Sequence, residues 1–450
     1  MEHGCKMSRV PAVKVLTVLL LCAVSSVIFG ATTGSVPYQV GEWLPSDQLK
    51  LEDWRHSLIR ETAEATGETL FYPAILEFKE LIEDDPELFM LFSQMFGQIP
   101  ADSAHSEDSS GFPQIQNYLH MLRIMNHLLT KAPGFDRSGF VGFPINAILN
   151  WPLQTEAGLI IFRNEKVNQH LKKILNQWSR FLSSADSRYV LDDDPERGWF
   201  GKAAQEAMPD FAEDFICDPN APYYGFRSWD DFFTRQFREG RRPVESPEND
   251  SVIANACESA PFKLAFSVSL REGFWIKAQP YSLFHMMAGD PFAPLFEGGT
   301  VYQAFLSALS YHRWHSPVSG IIVKTRIIDG TYYAQSPNEK DDPYSPNASQ
   351  AFISHTASRA IIFIEADNPN IGLMGIIFVG MGEVSSNEIT VYEGQRVQKG
   401  DQLGMFHFGG STHALIFRPE TRLRFDLRGQ TPGLESENIP VGAKIATVIE

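Results

Sequence analysis

The stretch Arg238-Glu239-Gly240-Arg241-Arg242-Pro243-Val244-Glu245-Ser246-Pro247-Glu248-Asn249 splits a 450-residue chain into two textures. On its N-terminal side, over 54–237, apolar residues recur at helical spacing. Tyr118, Leu122, Met125 and Leu129 form one stripe, and Val167, Leu171, Ile174, Leu175, Trp178 and Leu182 form another. Pro73 and Pro86 stand where helices begin, because the N–H that proline lacks would be unpaired in a first turn anyway. On the C-terminal side, Ile321-Ile322-Val323 and the runs 360–364 and 375–379 have the β-branched and apolar content of buried strands. The expected fold class is therefore α+β: a helical domain over 38–240, then a β-rich, barrel-like domain over 241–450. The segment 101–113, rich in Ser, Asp and Gly, reads as a surface loop.

Composition narrows the function classes. With 43% hydrophobic and 12% aromatic residues the chain can bury substantial cores. Its net charge of -17 argues against nucleic acid as a partner, since that binding depends on Lys and Arg neutralising phosphates. The same charge opposes broad attraction to anionic lipid surfaces. At the N-terminus, Lys6, Arg9 and Lys14 precede an uncharged run over 15–29, with Gly30 and Ala31 behind it. That run is short of the roughly 20 apolar residues a bilayer span needs, so 1–31 reads as a signal peptide, with a signal anchor as the alternative. The expected location is the secretory pathway, extracellular or membrane-associated. Cys5 and Cys22 fall in this leader; Cys217 and Cys257 remain, with no disulfide framework and no Cys/His zinc pattern.

Two short motifs carry chemistry. Gly410-Ser411-Thr412 lies near the C-terminus, and Tyr311-His312-Arg313-Trp314-His315-Ser316-Pro317 lies far upstream. A serine after glycine can attack the preceding carbonyl, because glycine admits the backbone geometry the attack needs. A histidine can take the serine proton. Loss of the Ser411 Cα proton then breaks the chain by elimination, and hydrolysis leaves a pyruvoyl ketone. The plain readings are a turn for an isolated Gly-Ser-Thr, structural roles for His407 and His413, and a buried hydrophobe for Cys257.

The Tyr-His-Arg-x-His cluster followed by Pro317-x-x-Gly320, together with the late Gly-Ser-Thr, resembles the phosphatidylserine decarboxylase family of pyruvoyl enzymes. Tyr281-Ser282-Leu283, the run 359–365 before Gly380, and Lys399-Gly400-Asp401-Gln402-Leu403-Gly404 extend the resemblance across roughly 250–450. Asn220-Ala221-Pro222-Tyr223-Tyr224-Gly225-Phe226 and Asp230-Asp231-Phe232-Phe233 resemble a branch that includes fungal enzymes acting on free tryptophan.

The resemblance implies a zymogen cut between Gly410 and Ser411, whose partner is its own cleaved chain. Its covalent pyruvoyl cofactor would derive from Ser411, and no metal is implied. It makes His315 the base for the cut and His312 the donor that protonates the substrate carbon. Glu258, in Ala256-Cys257-Glu258-Ser259 where the family has Ala-Asp-Gly, would orient His315. Residues three apart on a strand face opposite ways, so one pocket served by both histidines requires a bend between them. The implied substrate is an amine-bearing carboxylate, held as a Schiff base while its α-carboxylate leaves as CO2. Phosphatidylserine, giving phosphatidylethanolamine, is the expected substrate, with a free aromatic L-amino acid such as tryptophan as the alternative. Membrane association and a homo-oligomer are both compatible with that chemistry. Two other classes compete. A serine hydrolase would use Ser411, His315 and Glu258, although no Gly-x-Ser-x-Gly elbow surrounds the serine, and an inactive β-rich domain would only bind.

Overall fold

The computed structural model describes Met1 and residues 48–64, 70–99, 115–135, 144–149, 152–273, 281–307, 309–335, 349–383, 386–408, 411–433 and 435–449. The leader, the 101–113 stretch and Gly409-Gly410 lie outside the described residues, as does the bond expected to be cut. The chain divides into two compact units, 1–35 and 36–450, and apart from Met1 every described residue belongs to the second.

Helices dominate the part before residue 238: α1 (Gln48–Glu64), α2 (Pro73–Asp84), α3 (Pro86–Gly97), α4 (Tyr118–Leu128), α5 (Pro144–Leu149), α6 (Glu156–Ile161), α7 (Glu165–Leu182), α8 (Lys202–Ala207), α9 (Phe211–Asp214) and α10 (Trp229–Phe233). Helices α2 and α3 begin at the two prolines, and the Asp85 carboxylate accepts from the N–H groups of Glu87 and Leu88. Asn164 caps α7 through the Val167 N–H, and α7 buries the whole stripe from Val167 to Leu182. Each such side chain contributes about 1.5–3 kcal/mol on burial, which is what holds an otherwise charged helix in place.

Strands follow: β1 (Val252–Ala254), β2 (Ala260–Val268), β3 (Gly299–Leu306), β4 (Arg313–His315), β5 (Gly320–Ile328), β6 (Arg359–Ala366), β7 (Leu373–Gly380), β8 (Ser386–Ile389), β9 (Arg396–Val397), β10 (Gln402–His407), β11 (Ser411–Phe417), β12 (Leu423–Phe425) and β13 (Lys444–Val448). The three runs expected as strands fall within β5, β6 and β7. Pairing is antiparallel throughout, in sheets ordered β2-β3-β11-β7-β6-β5-β9, β4-β10-β8 and β1-β13-β12.

The barrel-like expectation needs correction, because the large sheet is open among the described residues. Its edge β2 carries Pro261, which has no N–H to donate, and its register slips at Pro261/Lys263 and Ala265/Val268. The opposite edge, β9, has two residues, and its Arg396 is turned outward to Asp367 at 2.6 Å. The proline and register slips of β2 and the two-residue length of β9 fit an open sheet.

Strand β11 runs through the middle of this sheet and is buried along its length. The core beneath the sheets includes Trp314, Phe378, Phe406 and Tyr302. A second core fills the helices and takes in Tyr311, Tyr332, Tyr333, Phe408 and Val441 from the later part of the chain. The helices thus pack onto the segments flanking β4, β5, β11 and β13.

Candidate active site

Ser411 is the first residue of β11, hydrogen-bonded in register between Leu306 of β3 and Gly380 of β7. It is fully buried, and its Oγ has no hydrogen-bond partner among the described residues. Thr412 beside it is fixed from the other face: its Oγ1 donates to the Ala304 carbonyl at 2.9 Å and accepts from Gln303 Nε2 at 3.0 Å. Gln303 Oε1 in turn accepts from the Tyr281 hydroxyl. A hydroxyl left unpaired beside one held on two sides is unusual, because an orphaned buried polar group costs about 1–3 kcal/mol.

Just upstream, Phe408 has a φ of 63°, a left-handed conformation that a bulky side chain rarely adopts. Its ring is gripped by Trp178 of α7 at 4.4 Å and Trp229 of α10 at 5.0 Å, both edge-on. The helices therefore hold the backbone strained two residues ahead of Gly410, and that strain was not visible in the order of residues.

The two histidines separate. Strand β4 is extended, and Trp314 points inward to stack on Phe378 at 4.0 Å. Alternation then puts His312 on the inward face and His315 on the outward one. The bend required for a shared pocket is not formed, and three residues of strand set the histidines roughly 10 Å apart along the chain. His312 is fully buried and stacked on Phe233 of α10 at 3.9 Å. Its carbonyl accepts from the Phe406 N–H, which places it at the end of β10 that leads to Ser411. His315 lies opposite Gln402, at the other end of β10.

His315 lines a cavity of about 280 Å³ with Tyr311, Phe237, Arg242, Gly400 and Gln402. Its Nδ1 donates to the Gly400 carbonyl at 2.7 Å, leaving Nε2 to accept from the Tyr311 hydroxyl at 2.9 Å. Burial lowers its pKa and outweighs the Gly400 bond, so the ring is neutral and able to take a proton. Among the described residues no hydrogen bond joins His315 to Glu258 or to Ser411. Glu258 instead accepts from Arg242 Nη2 at 3.1 Å and from the Val441 N–H at 2.9 Å. The longer carboxylate meets the guanidinium that Phe237 supports at 4.3 Å, and the Nδ1 it was expected to orient is taken by a backbone carbonyl.

Other residues join the site without a sequence signal of their own. His407, read as structural, bridges Asp230 of α10 at 3.0 Å and Glu388 at 2.8 Å. Burial opposes its charge, but the two carboxylates win and raise its pKa. His413, also read as structural, is fully buried, and burial lowers its pKa to about 3. Glu383, three residues past the end of β7, accepts from the N–H groups of Ile145 and Asn146 at 2.6 and 2.8 Å. Burial raises its pKa to about 8 against those bonds. The only hint available for Glu383 was an acidic residue directly behind a strongly apolar strand. Among the described residues no cluster of His, Cys, Asp and Glu could hold a metal ion.

Comparison with known proteins agrees with the motifs. Two family models, both described as phosphatidylserine decarboxylase, match residues 72–208 and 229–446. An L-tryptophan decarboxylase of Psilocybe cubensis is 41% identical over 382 residues, covering 80% of this chain and 83% of that protein. A decarboxylase of Amanita muscaria is 44% identical over 302 residues, 63% of this chain and 86% of its own. A phosphatidylserine decarboxylase proenzyme of Schizosaccharomyces pombe is 30% identical over 199 residues, 44% of this chain and 19% of that protein. With both halves matched and a long relative at this identity, the chain belongs to the phosphatidylserine decarboxylase family and is a carboxy-lyase.

Proposed function

We propose that the chain is a self-processing, pyruvoyl-dependent decarboxylase of a free aromatic L-amino acid such as tryptophan. For self-processing, the observation that carries the reading is the buried Oγ of Ser411 at the head of β11, which has no hydrogen-bond partner among the described residues and so fits a precursor of the pyruvoyl group. Once formed, that group supplies an electron sink for the breaking bond to the α-carboxylate. His312, at the Ser411 end of β10, is the proton donor to the substrate carbon. The family resemblance gives the role of base for the cut to His315, which is neutral with a fixed tautomer and stands at the other end of β10 from Ser411. Glu258 acts on this corner by locking Arg242 and the Val441 backbone into the cavity wall.

The preference for a free amino acid over phosphatidylserine, the substrate expected from the sequence, rests on where the similarity runs. The tryptophan decarboxylase matches through both halves, whereas the phosphatidylserine decarboxylase proenzyme matches less than half of the chain. The secretory destination of 1–31 remains part of the proposal, and sequencing the N-terminus of secreted protein tests it.

The function is tested by intact-mass analysis together with CO2 release. The expected result is a separate fragment 411–450 with a ketone-bearing N-terminus, and CO2 from tryptophan in preference to phosphatidylserine vesicles. An intact but active chain would overturn the self-processing, and activity on the lipid alone would overturn the substrate.

A further inference from the structure

Antiparallel pairing puts Ser411, His413 and Leu415 on one face of β11, together with their cross-strand partners Leu306, Ala304 and Tyr302 of β3 and Gly380, Phe378 and Ile376 of β7. On this face the polar atoms are unsatisfied. Both ring nitrogens of His413, the Tyr302 hydroxyl and Ser411 Oγ are buried without a hydrogen-bond partner among the described residues. On the opposite face Thr412, Gln303 and Tyr281 are paired with one another. Of these strand residues and Tyr281, the unpaired ones lie on the side on which Ser411 points.

The ring neighbours of His413 are aromatic and uncharged. The His413 ring lies 6.2 Å from that of Tyr302, edge-on, and 6.3 Å from that of Phe378, nearly parallel. Trp314 covers the far side of Phe378, and its Nε1 is likewise unpartnered. Burial alone displaces the titration of His413, with no charged group contributing. A phosphodiester brought here would be desolvated without a cation to meet it. A neutral imidazole and a phenol instead complement a neutral polar atom on an aromatic ring: an indole N–H donating to the imidazole, or a phenolic hydroxyl. Two residues of strand separate the side chains of Ser411 and His413 by about 7 Å, comparable with the reach from the α-amine of tryptophan to its ring nitrogen.

We propose that His413 and Tyr302 form the subsite that recognises the polar ring atom of the aromatic substrate, selecting indole and phenol side chains over plain phenyl. This rests on the amino-acid reading above. A site built to bond a ring N–H or O–H discriminates against the ring that lacks it, because its own buried groups are then left unpaired.

The test uses the self-cleaved enzyme and two ligands without an amine, 3-indolepropionate and 3-phenylpropionate, whose binding is measured by calorimetry. Wild type should bind the indole acid more tightly, and His413→Phe should lose that preference by roughly tenfold to a hundredfold while binding the phenyl acid within about threefold. Tyr302→Phe, which removes only an unpartnered hydroxyl and so keeps the fold, should lose part of it. The ratio of kcat/KM for tryptophan over phenylalanine should fall in parallel, with fragment 411–450 still produced. If the wild type prefers indole and both variants keep the preference, the subsite is wrong and the function stands. If the wild type releases CO2 from phosphatidylserine and not from tryptophan, the functional reading fails and takes the subsite with it.

Discussion

The corner around His315 and the strand face around Ser411 are built on opposite principles. At His315 the polar groups are paired in two sets beside a cavity, Tyr311–His315–Gly400 and Arg242–Glu258–Val441. At Ser411 the strand face is buried, its polar side-chain atoms have no partner among the described residues, and the strained Phe408 stands just upstream. The first corner is preorganised by bonds it already has. The second carries bonding capacity that only a reaction or a substrate can use, and holding that capacity vacant costs stability elsewhere supplied by the two cores.

The largest expected effect breaks the second region. Ser411→Ala should leave a full-length chain on denaturing electrophoresis and reduce CO2 release to background. A cut, active mutant would show that the unpaired hydroxyl is not the reacting one. His312→Ala should come next, lowering kcat by about 10²–10⁴ while fragment 411–450 still appears, as loss of a proton donor does. Phe408→Ala should cost about 3–5 kcal/mol in urea unfolding and slow the cut, since it empties the slot between Trp178 and Trp229 and relaxes the backbone. If the cut proceeds at an unchanged rate, the strain plays no part in it.

Glu258→Gln breaks the first region more gently. The amide can still accept from Val441 but no longer neutralises Arg242, so a loss of about 1–3 kcal/mol is expected, with slower cutting. Equal stability would mean that Asp214, 3.7 Å from Arg242, takes over the pairing.

The smallest effects are in pH dependence, and two buried groups, His413 on β11 and Glu383 past the end of β7, should act with opposite sign. His413 titrates at about 3 when folded, against about 6.5 unfolded, so the unfolded chain takes the proton first and stability falls as pH drops below 6.5. Glu383 titrates at about 8 when folded, against 4.5 in the open chain, so its contribution is lost as pH rises through 8. Melting curves of His413→Phe should therefore gain on wild type at pH 5 relative to pH 7.5, and those of Glu383→Gln at pH 8.5 relative to pH 4.5. A gain independent of pH would mean that neither group titrates with folding.

Much of the architecture was legible because it is written in neighbouring residues. The α7 stripe, the proline starts of α2 and α3, and the apolar runs in β5, β6 and β7 each depend on spacing within one element. That the sheet stays open, against the barrel-like expectation, was not legible, because closure depends on whether two edges far apart in the chain can pair. In the site, the types of residue were readable and their partners were not. Glu258 was expected on His315 and is found on Arg242, because a carboxylate takes whichever donor the fold brings within reach.

The order of residues by itself determined the reactive tripeptide, the pair of histidines and the helical and extended segments, since these follow from local chemistry and periodicity. Tertiary structure alone decided which polar atoms stay unpaired. Ser411 faces Gly380, His413 stands between Tyr302 and Phe378, and His312 lies under Phe233, through contacts that span tens to hundreds of residues. Sheet register and helix packing set those meetings, and no short stretch of sequence encodes either.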